Sequence, residues 1–259
     1  MISSETFQKI EKIARLAGAA ILEVYGTDDF QISNKEDDSP LTEADRRSHS
    51  VIIEGLTSIT PEIPVISEES AVPDYNERKD WPVYWLIDPL DGTKEFIKRN
   101  GEFTVNIALI EKSKPTGGVV YQPVTNTLYS RRPGESSFKI NAQGHEETLS
   151  PSPHYRELNS VRVVASRSHM SEAVTDFIQE LEDAGKTTEL HSAGSSLKIC
   201  LVAEGAADVY PRLGPTMEWD TAAAHAIATG AGRKINHYPE GSPLEYNKKD
   251  LLNPWFIVE

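Results

Sequence analysis

An apolar run, Val83-Tyr84-Trp85-Leu86-Ile87, ends in Asp88-Pro89-Leu90-Asp91-Gly92-Thr93. A continuous apolar segment of this length reads as a buried strand, and it delivers two carboxylates to the strand's end. Pro89 fixes its own backbone and restricts Asp88, so the turn is stiff; Gly92 permits a close approach or an unusual dihedral. Rigid oxygen ligands are what a small hard cation such as Mg²⁺ demands. If a helix opens near Asp91, the amides of Gly92 and Thr93 are also free to hold a phosphate. Taken alone, the segment favours a plain turn in which Asp88 accepts backbone amides and Asp91 caps a helix.

Two further acidic positions change that balance. Glu68-Glu69 follows the strand candidate Pro64–Ser67, and Trp219-Asp220 opens a helix after a turn at Gly214-Pro215. Separately, a solvated surface pair and an ordinary helix cap explain them. Jointly, Glu68, Asp88, Asp91 and Asp220 are four carboxylates at the ends of elements flanked by apolar runs. Four is the number needed by two metal ions about 4 Å apart, which clamp the attacking and leaving oxygens of a phosphoryl transfer.

The whole chain fits such chemistry. It has 259 residues, 38% hydrophobic and 25% charged, enough for a sizeable core. No apolar run approaches the ~20 residues of a membrane-spanning helix, and no secretory signal is expected. The formal net charge of −14 disfavours a nucleic-acid polymer as partner. It also conflicts with an anionic substrate, unless divalent cations reverse the local sign. Most of the 40 acidic side chains are read as solvated surface. The single cysteine, Cys200, allows no intrachain disulfide, which fits a cytoplasmic protein. Whether it also rests peripherally on the cytoplasmic face of the inner membrane stays open, as does its oligomeric state.

The elements that must position the acids are legible in outline. Phe7, Ile10, Ala14, Ala17, Ile21 and Val24 mark an amphipathic helix from about Thr6 to Tyr25, stopped by Gly26. A polar loop, Lys35–Pro40, precedes a second helix opened by Thr42. Strands are expected at Pro64–Ser67, Val83–Ile87 and Thr104–Ile110, then around Gly118–Tyr121, Thr127–Ser130 and Ser137–Ile140, the later ones as an antiparallel meander. Pro151-Ser152-Pro153 is the linker candidate and divides the chain into residues 1–150, α+β in pattern, and 151–259, α/β in pattern. In the second part strands at Val161–Ala165, Thr187–His191, Asp208–Pro211 and Trp255–Val258 alternate with helices at Ser171–Ala184, Ser195–Glu204 and Trp219–Thr229. Cys200 falls between Ile199 and Leu201 on an apolar helix face and reads as a small buried hydrophobe.

Ser67-Glu68-Glu69-Ser70, Asp88-Pro89-Leu90-Asp91-Gly92-Thr93 and Trp219-Asp220-Thr221-Ala222-Ala223 resemble the three signature motifs of the inositol monophosphatase superfamily, in family order. Thr42-Glu43-Ala44-Asp45 is a fourth match. These are lithium-sensitive, Mg²⁺-dependent phosphatases. Thr93-Lys94-Glu95-Phe96, Ala165-Ser166-Arg167-Ser168-His169 and Gly194-Ser195-Ser196-Leu197-Lys198 resemble its 3′(2′),5′-bisphosphate nucleotidase branch, in the bacterial form. The family usually has glycine before the two glutamates; here it is Ser67.

The resemblance implies a layered αβαβα sugar-phosphatase fold with the active site where the halves meet. It implies Mg²⁺, two or three ions: Glu68, Asp88 and the Leu90 carbonyl on one, Asp88, Asp91 and Asp220 on the second, and a weaker third near Glu68. A water acidified by the cation would attack in line, with Thr93 and Asp45 orienting it and taking its proton. Thr42-x-x-Asp45 also reads, independently, as a helix capping box. The substrate would be 3′-phosphoadenosine 5′-phosphate, a by-product of sulfate assimilation, hydrolysed to AMP and phosphate. Glu68, Leu90, Asp91, Gly92, Thr93 and Asp220 would meet the reacting phosphate. Ser195, Ser196, Lys198, Arg167 and Arg212 are the candidates for the second phosphate, each also readable as ordinary surface. His169 and Tyr210 are candidates to flank the adenine, with a structural role the competing reading. Rival expectations are a phosphatase for inositol monophosphate or a sugar bisphosphate, and a non-catalytic metal- or nucleotide-binding regulator.

Overall fold

The computed structural model of the chain describes residues 2–27, 30, 33–34, 40–150, 152–165 and 171–259. Residues 35–39 of the polar loop, Pro151 of the linker candidate, and 166–170, with Arg167 and His169, lie outside the described residues.

In chain order the first half runs α1 (Ser4–Tyr25), β1 (Ser33–Asn34), β2 (Pro40–Leu41), α2 (Glu43–Ile59), β3 (Val65–Ser67), α3 (Tyr75–Arg78), β4 (Val83–Asp91), α4 (Thr93–Ile97), β5 (Thr104–Glu111), β6 (Lys114–Gln122), β7 (Thr127–Arg131), β8 (Ser137–Ile140) and β9 (Glu146–Thr148). The second half runs β10 (Ser160–Ala165), α5 (Glu172–Asp183), β11 (Thr187–Ser192), α6 (Leu197–Ala203), β12 (Tyr210–Arg212), α7 (Glu218–Gly230), β13 (Ile235–His237) and β14 (Phe256–Val258).

Strands β3 to β9 form one seven-stranded sheet in sequence order, with β3 parallel to β4 and the rest antiparallel. Alternation along the strands assigns its two faces. Trp85, Ile87, Ile107, Leu109 and Val119 pack with the apolar faces of α1 and α2. Tyr84, Leu86, Ala108, Ile110 and Val120 pack with α6 and α7. Gly118 is what lets α7 approach so closely, since a Cβ there would lie 2.3 Å from the Ala223 carbonyl oxygen. Each large side chain buried this way contributes about 1.5–3 kcal/mol.

Behind α6 and α7 stands a second layer of strands. β10 and β11 are parallel, β14 lies antiparallel between β12 and β13, and a bridge from Val163 to Val209 links the two groups. Val164, Phe256 and Val258 face α6 and α7, whereas Val161, Val163 and Ile257 face α5. The order is therefore helix, sheet, helix, sheet, helix: the αβαβα arrangement. The second half has the alternation of strand and helix read as α/β, with β10–β11 parallel and β12–β14–β13 antiparallel. The strand near Asp208–Pro211 is Tyr210–Arg212, and the helix expected at Ser195–Glu204 is Leu197–Ala203. Strands β9 and β13 and helix α3 have no apolar period to reveal them; all three residues of β9 are exposed.

Candidate active site

The acids meet because three chain turns converge at one end of the seven-stranded sheet. Parallel pairing sets Ser67 opposite Ile87, and the Glu68 N–H donates to the Ile87 carbonyl at 3.2 Å. This brings the Glu68 turn beside Asp88. On the other side, Asp88 pairs with Asn106 but Asp91 with Thr104, so β4 carries one extra residue there. Residues three apart on a regular strand point to opposite faces. The bulge, at a proline that cannot donate to the ladder, keeps both aspartates in electrostatic contact with Asp220, Asp88 within the close cluster and Asp91 beside it. Asp220 arrives from the opposite direction, in the first turn of α7, where its Oδ2 accepts from the Met217 N–H at 2.8 Å.

Ligand oxygens of Glu68, Asp88 and Asp220 all lie within 4.8 Å of one another. Asp88 is buried, and burial, then Glu68, Asp91 and Asp220, push its carboxyl well above the usual range. Burial raises Asp220 to about 8, with Asp91 and Glu68 adding to it. Burial likewise raises Asp91 to about 6, opposed by Lys198, the Ser196 amide and the Asn106 side chain. The cluster thus has a deficit of positive charge in its ionised form. An all-carboxylate donor set with that deficit fits a hard divalent cation, which offsets the burial and the mutual repulsion that raise these carboxyls.

Around the acids the backbone is fixed by hydrogen bonds. Asp88 Oδ1 accepts from the Leu90 N–H at 3.0 Å, and Ser48 Oγ donates to the Pro89 carbonyl at 2.6 Å. Asp91 Oδ2 accepts from the Ser196 N–H at 2.6 Å and from Asn106 Nδ2 at 3.2 Å. Thr93 Oγ1 lies 3.3 Å from Asp45 Oδ1 and 3.4 Å from the Leu90 carbonyl. Asp45 Oδ2 accepts from both the N–H and the hydroxyl of Thr42, so the capping box and the Thr93 contact coexist on one carboxylate. Gly92, at φ 92°, turns the chain from β4 into α4.

A cavity of about 240 Å³ is lined by Asp91, Gly92 and Asp220 together with Ser195, Lys198 and Arg212. Past Tyr210 and Arg212 it adjoins a second hollow of about 430 Å³ walled by Lys94, Ser171 and Leu213. Lys198 Nζ donates to the Ser195 carbonyl at 2.8 Å, and Arg212 Nη2 to the Pro215 carbonyl at 2.6 Å. Buried atoms without a hydrogen-bond partner include Ser195 Oγ and Arg212 Nε. Ser195 is held at φ 47°.

The structure therefore brings Glu68, Asp88 and Asp220 into one cluster, sets Asp45, Thr93 and the Leu90 carbonyl together beside it, and has Asp91, Gly92, Ser195, Lys198, Arg212 and Asp220 line one cavity. Ser196 faces inward: its amide holds Asp91, and its hydroxyl bonds Asn106 and Thr104. Arg167 lies outside the described residues. Sequence reasoning missed Asn106, Ser48 and His49. Asn106 had a signal, a lone amide inside the apolar strand Thr104–Glu111. Cys200 is fully buried and its thiol is pushed up by burial, as a small core hydrophobe should be.

Residues 3–256 match the inositol monophosphatase family, and the chain belongs to it. It is 48% identical over 253 residues to the 3′(2′),5′-bisphosphate nucleotidase CysQ of Salmonella typhimurium, covering 97% of this chain and 98% of that protein. Over 249 residues it is 48% identical to the same nucleotidase of Escherichia coli K12. The crystal structure of CysQ from Bacteroides thetaiotaomicron superposes with a TM-score of 0.86 at 45% identity, covering 99% of this chain and 97% of that one.

Proposed function

We propose that this chain is a Mg²⁺-dependent 3′(2′),5′-bisphosphate nucleotidase that hydrolyses 3′-phosphoadenosine 5′-phosphate to AMP and phosphate, working in the cytoplasm in sulfur metabolism. The observation that carries the reading is the carboxylate cluster of Glu68, Asp88 and Asp220, of which Asp220 also lines a cavity shared with Asp91, Lys198 and Arg212. Full-length similarity to CysQ nucleotidases supports the substrate.

In this reading residues 1–150 supply Glu68, Asp88, Asp91 and the Leu90 carbonyl, and residues 151–259 complete the site with Asp220. These groups would hold two or three Mg²⁺ ions, whose chemistry there would be to neutralise phosphate charge and acidify a water. Thr93 donates its proton to Asp45, so its oxygen lone pairs are left to orient a water. The water oxygen forms a bond to phosphorus as the bond to the ribose 3′ oxygen breaks; the water's proton passes through Thr93 to Asp45, and the ribose oxygen is protonated from solvent. Lys198, Arg212 and the unpartnered Ser195 hydroxyl hold the 5′-phosphate.

Phosphate release is compared from 3′-phosphoadenosine 5′-phosphate, inositol 1-phosphate and fructose 1,6-bisphosphate at equal concentration, with Mg²⁺ and then with chelator. The expected result is chelator-sensitive preference for the nucleotide. Preference for either sugar phosphate overturns the substrate, and no release from any overturns the catalytic reading.

A further inference from the structure

Helix α2 turns one polar stripe toward the acidic turns. Asp45, Ser48 and His49 stand at i, i+3 and i+4, the spacing that puts side chains on one helical face. Ile52 and Leu56 continue the stripe into the core. Asp45 meets Thr93, and Ser48 holds the Pro89 carbonyl, so both brace the turn after Asp88. His49 does something else: its Nδ1 lies 2.9 Å from Ser67 Oγ, in the turn before Glu68.

Ser67 closes β3 and is 1% exposed. Its hydroxyl also accepts from the Glu69 N–H at 3.2 Å, while the Glu68 N–H is tied to Ile87. A serine hydroxyl carries one proton and two acceptor sites, so it can bond the turn and the helix at once. The Glu68 turn is therefore tied on one side to β4 and on the other, through Ser67 and His49, to α2. Without the hydroxyl the turn loses its tie to α2 through His49 and its bond to the Glu69 N–H.

We propose that His49 and Ser67 are a positioning pair that sets the turn presenting Glu68 and thereby raises the affinity of the carboxylate cluster for a divalent cation. The proposal rests on the reading of Glu68 as a cation ligand. Mg²⁺ tolerates little departure from octahedral geometry, and partners that orient its ligands are worth about 10–100-fold in affinity.

The test uses the full chain, stripped with chelator and without substrate. Mn²⁺ binding is followed by paramagnetic relaxation and Mg²⁺ binding by calorimetry, for wild type, Ser67→Ala, His49→Ala, His49→Asn and Glu68→Gln. Ser67→Ala and His49→Ala should each weaken binding by about 10-fold, and the double variant by little more, because the two act through one contact. His49→Asn should recover most of the loss, since its amide nitrogen reaches the place of Nδ1. Excess Mg²⁺ should restore phosphate release. If the Ser67 and His49 variants bind as wild type while Glu68→Gln weakens binding, the pair is structural only and the proposal falls. If Glu68→Gln also binds as wild type, the ligand reading of Glu68 falls instead. Should Ser67→Ala not fold, the contrast between His49→Ala and His49→Asn, on the half-buried partner, decides alone.

Discussion

In the acidic turns, Asp45, Ser67 and Asp88 are each 1% exposed and their oxygens accept from neighbouring backbone or side chains. Along the neighbouring cavity, Lys198 and Arg212 spend hydrogen bonds on nearby carbonyls, and buried Ser195 Oγ and Arg212 Nε have no partner. The acidic turns are finished before any substrate arrives; the cavity lining holds donor capacity in reserve. The difference matches two kinds of guest. A resident cation needs rigid ligands, whereas an anion that comes and goes needs donors that are not already committed.

The largest break in this comparison is Asp88→Asn. Asparagine keeps the shape and the oxygen that accepts from Leu90, but removes one shared charge from the cluster. Phosphate release should fall at least about 10³-fold at saturating Mg²⁺, a loss of the size seen when one electrostatic element of a site is removed. Stability should move the other way in chelator. The Asp88 carboxyl is raised above its unfolded value of 3.8, so the folded chain binds more protons than the unfolded one as pH rises from about 4. Cation-free wild type therefore loses stability with rising pH, a slope that asparagine lacks. Thermal denaturation across pH should show the variant gaining on wild type above about pH 4 in chelator, with Mg²⁺ closing the gap. A variant that tracks wild type in chelator would mean that the cluster carries no charge deficit.

Lys198→Met sharpens the other half. Its effect should fall on substrate binding: KM for the bisphosphate should rise about 10–100-fold, the worth of one charge-assisted hydrogen bond, with kcat changing less. A fall in kcat at constant KM would instead assign Lys198 to the acidic turns, through the charge it places near Asp91.

The same contrast explains what was legible in the sequence. The acidic turns announce themselves because local constraints write them: an apolar strand, then two aspartates, a proline and a glycine within the five positions Asp88 to Gly92. The Thr42–Asp45 capping box is equally local. What brings the turns together is not. The register shift between β4 and β5, the Ser196 amide on Asp91 from 105 residues away, and the His49–Ser67 contact each join distant segments. No periodicity in one segment encodes its partner in another. Lys198 shows a further limit: the resemblance makes it a candidate for the second phosphate, but its own segment does not separate that reading from ordinary surface, and only the fold sets it on the cavity.

The smallest effect is also the most discriminating. Ser195 sits at φ 47°, a left-handed conformation that costs an L residue about 1–2 kcal/mol. Glycine adopts it freely but loses about 0.5–1 kcal/mol through its more mobile unfolded chain. Ser195→Gly should therefore stabilise the protein by up to about 1 kcal/mol in chemical denaturation. It also deletes the hydroxyl that has no partner inside the protein. If that hydroxyl serves the substrate, KM for the bisphosphate should rise several-fold, about 1 kcal/mol, while stability improves. Opposite signs in the two measurements are what strain kept for binding requires. A variant that is more stable and binds equally well would show that the left-handed turn serves only to present the Ser196 amide to Asp91, which glycine at 195 would preserve.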